Sequence, residues 1–269
     1  GAAGARAAAR CEEPGADAAA SRSRFVLFGD SITQMGFSVG GWVQRLADRY
    51  SRRADLLNRG YSGYNTRWAA PVLERLLAAG VADGAVLWTV FLGANDMASP
   101  GSHRQHVPLE EYEENLKTML QQIQSVSPQA SLVVITPPAV DEEKWRARLA
   151  SPASDRKDDT AGRYAAAAGR AAAACGVELI NLHAAMHAQP HPIGHFLSDG
   201  LHLSEAGNEL LFDLLAGLID ERFPWLAVHP CEFTGSFHNS GSSSRLRQEF
   251  PWHDHLAPEP PHHSSFSRR

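Results

Sequence analysis

The sequence predicts an α/β fold in which helices cover both faces of a parallel, five-stranded sheet. Two observations carry this. Five short apolar stretches alternate with five stretches of helical periodicity, the pattern of right-handed strand–helix–strand crossovers. One of them, Ala85-Val-Leu-Trp-Thr-Val-Phe-Leu92, is continuously apolar and β-rich, the mark of a central strand buried on both faces.

Taken in order, Phe25-Val-Leu-Phe28 is the first strand, and it runs into Gly29-Asp30-Ser31-Ile-Thr33. A helical pattern begins a few residues later, over 39–51, with Trp42, Val43, Leu46 and Tyr50 at helical spacing. Ala54-Asp-Leu-Leu-Asn58 is a short second strand, and it feeds a turn-rich loop, Gly60-Tyr-Ser-Gly63-Tyr-Asn-Thr66. A helix is expected over 69–79, followed by the central strand, which ends in Gly93-Ala-Asn95-Asp96. The helix over 109–126 carries Tyr112, Leu116, Met119, Leu120 and Ile123 on one stripe. Ser131-Leu-Val-Val-Ile-Thr136 is the fourth strand, stopped by Pro137 and Pro138. Residues 141–159 are dense in charge and read as a solvated surface excursion. An Ala-rich helix over 160–175, a fifth strand Val177-Glu-Leu-Ile-Asn181 and a last helix over 205–222 complete the pattern.

One such sheet accounts for a single domain over 24–229. Residues 1–23 are rich in Ala, Gly and Arg without an apolar core and read as a disordered extension; 230–269, dominated by Ser, His, Pro and Gly, read as a disordered tail. Among the 269 residues, 43% hydrophobic and 20% charged content is that of a soluble globular protein. A formal charge of -5 argues against a nucleic-acid or anionic-membrane surface. No apolar run approaches the ~18 residues needed to span a bilayer. Cys11, Cys175 and Cys231 form neither a disulfide framework nor a C-x-x-C site, so a reducing compartment, the cytoplasm, is the expected location.

In an open parallel sheet the ligand crevice lies outside the carboxyl ends of the strands. Ser31 follows the first strand, Gly63 lies in the loop after the second, and Asn95 follows the third. Asp199-Gly-Leu-His202 lies beyond the fifth, just ahead of the final helix. A serine hydroxyl is a poor nucleophile until a base removes its proton, and histidine is the side chain suited to that near neutral pH. Asp199, three residues before His202, is close enough to fix the ring's tautomer. The backbone N–H groups of Ser31 and Gly63 and the amide of Asn95 make three candidate donors for an oxyanion. Taken singly, each motif is an ordinary turn; jointly they describe an acyl-transfer site.

Gly29-Asp-Ser-Ile-Thr33, Asn58-Arg-Gly-Tyr-Ser-Gly63-Tyr-Asn-Thr66, Gly93-Ala-Asn-Asp96 and Asp199-Gly-Leu-His202 resemble the sequence blocks of the GDSL, or SGNH, hydrolases. Within that family the chain is most similar, over 24–225, to the isoamyl acetate-hydrolysing esterases and their animal homologues. The resemblance implies a flavodoxin-like α/β/α fold with sheet order 2-1-3-4-5 and a catalytic set of Ser31, Asp199 and His202. It also implies an oxyanion hole of Ser31, Gly63 and Asn95, and hydrolysis of small carboxylic esters with no metal or other cofactor. A lysophospholipase- or thioesterase-type lipid hydrolase is the alternative within the enzyme class, and a non-catalytic binding module of the same fold the alternative outside it.

Two decoys compete with this set. Gly36-Phe-Ser38-Val-Gly40 matches the G-x-S-x-G elbow, which must follow directly on a strand, and here a turn intervenes. His183, His187, His191 and His195 suggest metal binding, but no Glu sits beside them as in H-E-x-x-H, and a solvated loop is the better reading. Met35, Phe37, Trp42 and Trp68 flank the first two motif loops and are candidates for an apolar substrate pocket, and 141–159, which departs from the family pattern, is a candidate border of the acyl or alcohol pocket.

Overall fold

The structure, a computed structural model, describes residues 22–102, 104–150 and 154–228. The tail over 230–269 and all but two residues of the N-terminal extension lie outside these. Five strands, β1 (Ser23–Gly29), β2 (Ala54–Gly60), β3 (Ala85–Phe91), β4 (Ser131–Ile135) and β5 (Glu178–Ile180), make one sheet in the order β2-β1-β3-β4-β5. Every pairing is parallel. β1 and β3 lie inside the sheet, and Val26, Leu27, Phe28, Leu87, Trp88, Val90 and Phe91 are fully buried, which is why these strands show no polar alternation.

The helices are α1 (Ser31–Gln34), α2 (Trp42–Arg49), α3 (Thr66–Ala78), α4 (Leu109–Val126), α5 (Glu142–Leu149), α6 (Asp158–Cys175), α7 (Leu182–His187) and α8 (Glu205–Arg222). α2 packs on α8, while α3, α4 and α6 pack in a row. Right-handed crossovers in this strand order put the two groups on opposite faces of the sheet. The Ala-rich face of α6, with Ala161, Ala165, Ala168 and Ala172 buried, lets its backbone come close to α4. Among the described residues no helix is long and apolar enough to cross a membrane.

The strand register decides where chemistry can collect. Gly29 pairs with both Gly60 and Phe91, Phe91 with Ile135, and Ile135 with Ile180. All five carboxyl ends therefore form one edge. The chain leaves β1 and β3 toward opposite sides of the sheet, opening a crevice between neighbouring strands there.

Several expected boundaries move, and each move has a cap behind it. A helical turn begins at Ser31 itself, because the Asp30 carboxylate accepts the Ile32 N–H at 3.0 Å. α3 starts at Thr66 instead of residue 69, since Asn65 Oδ1 accepts the Trp68 N–H. The larger correction lies within 141–159, where most described residues are exposed as expected but two large side chains turn inward. Asp141 caps α5 by accepting the Lys144 N–H, Trp145 is buried, and the Arg156 side chain is only 2% exposed. Charge density misleads here because a cation can be buried once acceptors meet its donors, and two of those acceptors, Ala94 O and Gln105 Oε1, come from distant parts of the chain.

Candidate active site

Ser31 stands on the first residue after the β1 turn, 6% exposed. Its Oγ lies 3.0 Å from His202 Nε2. On the other side of the ring, His202 Nδ1 is 2.8 Å from Asp199 Oδ2. A carboxylate only accepts, so Nδ1 carries the proton and Nε2 is left as the acceptor for the serine hydroxyl. Asp199 Oδ1 also accepts the N–H groups of Leu201 at 3.1 Å and His202 at 2.9 Å. Burial pushes the Asp199 carboxyl up, but the bonds from the His202 ring and these two N–H groups, with the imidazole's charge, outweigh it and hold the group at about 2. Asp199 thus stays a carboxylate across the neutral range.

Gly200 makes this loop possible. It has φ +98, and a Cβ there would stand 2.4 Å from the Trp145 nitrogen and 2.5 Å from the Asp141 oxygen. The loop therefore tucks under α5, and the Asp141 N–H donates to Gly200 O. Trp145 meets the His202 ring edge-on at 6.1 Å.

The remaining candidates lie across the crevice. Gly63 has φ +81, a left-handed conformation that disfavours any side chain. Among the described residues the Ser31 and Gly63 N–H groups have no acceptor. Asn95 is 5% exposed, and its Nδ2 donates to Tyr64 O at 2.8 Å and, at the longer distance of 3.5 Å, to Asp30 Oδ2. Two residues that sequence reasoning missed border the same space. Gln105 Nε2 donates to Gly63 O and to Asn95 Oδ1, both at 2.9 Å, and Gln105 Oε1 accepts from Arg156 Nη2 at 2.6 Å.

Two buried acids underlie the site. Burial drives Asp30 up to about 7 against the Ile32 N–H, and drives Asp96 up to about 7 against the bonds from the Thr66 hydroxyl and N–H. For each, the folded value stands above the ordinary 3.8, so the folded state holds a proton that the unfolded chain has lost. Stability from these groups is complete below about pH 4 and is lost as pH rises to 7, each with a slope of about 1.4 kcal/mol per pH unit. Asp96→Asn keeps both Thr66 bonds and should remove its own half of the combined slope, as read by urea unfolding at pH 4.5, 5.5 and 6.5. An unchanged slope would mean that Asp96 is ionised in the folded protein.

Between these walls lies a cavity of about 290 Å³, lined by Ser31, Gly63, Asn95 and His202 with Trp145, Leu149 and Leu201 as its apolar surface. The motifs marked in the sequence come together here, and 141–159 borders the space through Trp145 and Leu149, but the pocket candidates named singly do not. Met35, Phe37 and Trp68 do not line the cavity and are 42%, 46% and 37% exposed, while Trp42 is a core residue bonding Ile32 O. Apolar neighbours in sequence marked the packing of the motif loops, whereas the apolar lining comes from α5 and the loop before α8. Ser38 is exposed after a 3-10 turn and is likewise no part of the cavity.

The histidines divide. His183 and His187 lie on α7, not in a loop, with Nε2 atoms 3.4 and 2.9 Å from the Asp158 carboxylate on α6. These three are the group among the described residues able to hold a metal ion, and none of them lines the cavity. Asp158 already accepts the Val140 N–H at 2.9 Å and the His187 contact, so its present role is to dock α7 on α6. His191 and His195 stack on one another at 4.6 Å.

Residues 27–210 match the model of the GDSL-like lipase/acylhydrolase family. A mouse (Mus musculus) isoamyl acetate-hydrolyzing esterase 1 homolog is 42% identical over 224 residues, covering 80% of this chain and 90% of that protein. An Arabidopsis thaliana GDSL esterase/lipase is 38% identical over 244 residues, covering 87% of this chain and 94% of the relative. Among solved structures, the lipase/acylhydrolase from Enterococcus faecalis superposes with a TM-score of 0.58 at 29% identity, covering 74% of this chain and 96% of that one.

Proposed function

The chain belongs to the GDSL-like lipase/acylhydrolase family and is a carboxylic ester hydrolase, and we propose that it cleaves small acetate-type esters through an acyl-enzyme on Ser31. The observation that carries this reading is the unbroken line from Ser31 Oγ through His202 to Asp199, with contacts of 3.0 and 2.8 Å. The reaction runs in two halves. His202 Nε2 takes the Ser31 proton as Oγ bonds to the ester carbon, and the carbonyl oxygen becomes an oxyanion facing Ser31 N–H, Gly63 N–H and Asn95 Nδ2. The bond to the alcohol oxygen then breaks, and His202 returns the proton to the departing alcohol. In the second half, water gives its proton to His202 and its oxygen to the acyl carbon, and Ser31 leaves with the proton restored. Asp199 orients the ring and balances the imidazolium throughout.

The cavity supports a small substrate. At about 290 Å³ it falls at the lower end of small-molecule pockets, roughly 300–1,000 Å³. Its apolar contacts, Trp145, Leu149 and Leu201, suit a short acyl or branched alkyl group. The similar mouse protein is named as a homolog of an isoamyl acetate-hydrolyzing esterase, which agrees with that size. A series of esters of graded acyl length should give the highest kcat/KM at two to four carbons, falling at least tenfold by eight, since each methylene without room forfeits contacts or forces strain. A maximum at long acyl chains, or on lysophospholipids, would refute the small-ester reading while leaving the nucleophile untouched.

A further inference from the structure

We infer that Gln105 and Arg156 form a positioning pair that sets the polarity of the oxyanion hole, Arg156 orienting Gln105 and Gln105 orienting Asn95 and Gly63. The inference rests on the acyl-transfer reading of this site and extends it to two residues outside the sequence blocks. Donor and acceptor inventories make the argument directional. A guanidinium only donates, so the Gln105 atom 2.6 Å from Arg156 Nη2 must be the oxygen Oε1. Gln105 Nε2, with two hydrogens, then faces inward and satisfies both Gly63 O and Asn95 Oδ1 at 2.9 Å. Asn95 Oδ1 meets that donor while Tyr64 O, which only accepts, meets Nδ2 at 2.8 Å, so both contacts turn Nδ2 toward the Asp30–Ser31 turn where an oxyanion would form. The other inward bond holds the Gly63 carbonyl, and with it the left-handed backbone at φ +81.

Arg156 is built to hold one orientation. Its side chain is 2% exposed, Nε donates to Ala94 O at 3.0 Å, and the guanidinium sits 5.4 Å over the Trp145 ring. Asp155 pairs with Nη1, and that carboxylate is held in turn by Trp145 Nε1 at 2.7 Å and by the Ser102 hydroxyl. A buried amide without this anchor has two nearly isosteric orientations. The orientation that satisfies Arg156, Gly63 O and Tyr64 O together is the one that points the Asn95 amide nitrogen toward the substrate. An oxyanion hole stabilises charge because its donors need no reorganisation as the reaction proceeds, and here the cation fixes them in advance through two amides.

Gln105→Glu tests this closely. Glutamate keeps the shape and the Arg156 contact but cannot donate to Gly63 O or Asn95 Oδ1, so it sets an oxygen against both and leaves the Asn95 amide held by Tyr64 O without its second anchor. On one short ester, kcat should fall about 10²–10³-fold for Gln105→Glu and comparably for Asn95→Ala, with KM within about threefold, because the interaction belongs to the transition state. The double variant Gln105→Glu/Asn95→Ala should be no more than a few-fold slower than either single one, since both act on the same donor. A merely structural Gln105 would instead give losses that multiply, or a Gln105→Glu enzyme within a few-fold of wild type; either overturns the inference. Gln105→Met, of similar volume and without donors, carries the same comparison if thermal melting shows Gln105→Glu unfolded at the assay temperature. Full activity in Ser31→Ala would overturn the acyl-transfer reading, whereas an inactive Ser31→Ala beside an active Gln105→Glu would overturn the pairing alone.

Discussion

Ser31→Ala is expected to lower kcat by about 10⁴-fold or more, leaving KM within a few-fold and abolishing covalent labelling by a fluorophosphonate. Without the hydroxyl no acyl-enzyme forms, and only water attacking the bound ester against the remaining donors is left. Ser31 is 6% exposed, and the change removes one small polar atom, so the fold should survive it. Ser38→Ala is the control, because that serine is exposed on the turn after the 3-10 segment and contributes nothing to the cavity. Turnover retained in the Ser31 variant and lost in the Ser38 variant would move the nucleophile to the elbow-like motif.

The second large effect is expected at Asp199. Asp199→Asn should cost about 10⁴-fold in kcat near neutral pH while changing stability far less. The asparagine oxygen can keep the backbone bonds from Leu201 and His202, at 3.1 and 2.9 Å, so the loop geometry is preserved. Its nitrogen then faces His202 Nδ1 and donates to it. That forces the ring proton onto Nε2, and the ring can no longer accept from Ser31 Oγ, 3.0 Å away. With Asp199 held at about 2 in the parent protein, acid inactivation above pH 4 does not report protonation of this carboxylate. The check is a pair of kcat/KM profiles from pH 5 to 9, with unfolding curves alongside. A variant within tenfold of the parent would show that the imidazole is oriented by something other than Asp199.

Both predictions concern residues that local sequence had marked, and the reason lies in the backbone. Ser31, Gly63, Asn95 and the Asp199–His202 pair each occupy a turn whose conformation needs particular residue types. Asp30 caps a helical turn, Gly63 and Gly200 take positive φ, and Asn65 caps α3. Such requirements act over a few residues and leave a local trace. The same holds for the sheet: β1 and β3 lack polar alternation because they are covered on both faces.

Gln105, Arg156 and Trp145 left no such trace. Each looks like a surface residue in its own window, and 141–159 reads as solvated. Their partners stand 51 residues away in the Arg156–Gln105 bond and 62 in the Arg156–Ala94 bond. Burial of a cation is settled by whether the fold delivers acceptors to all sides of it, a condition that no window of sequence contains. The apolar lining followed the same rule, coming from α5 and the loop before α8 while Trp42 went to the core.

The amino-acid sequence by itself thus determined the succession of strands and helices along the chain and the turns that present each candidate group. Tertiary structure alone decided which walls enclose them, how large the cavity is, and which way the Asn95 amide points. The first set depends on φ/ψ preferences and capping within a few residues, the second on donor–acceptor matching between loops that meet only when the sheet edge assembles.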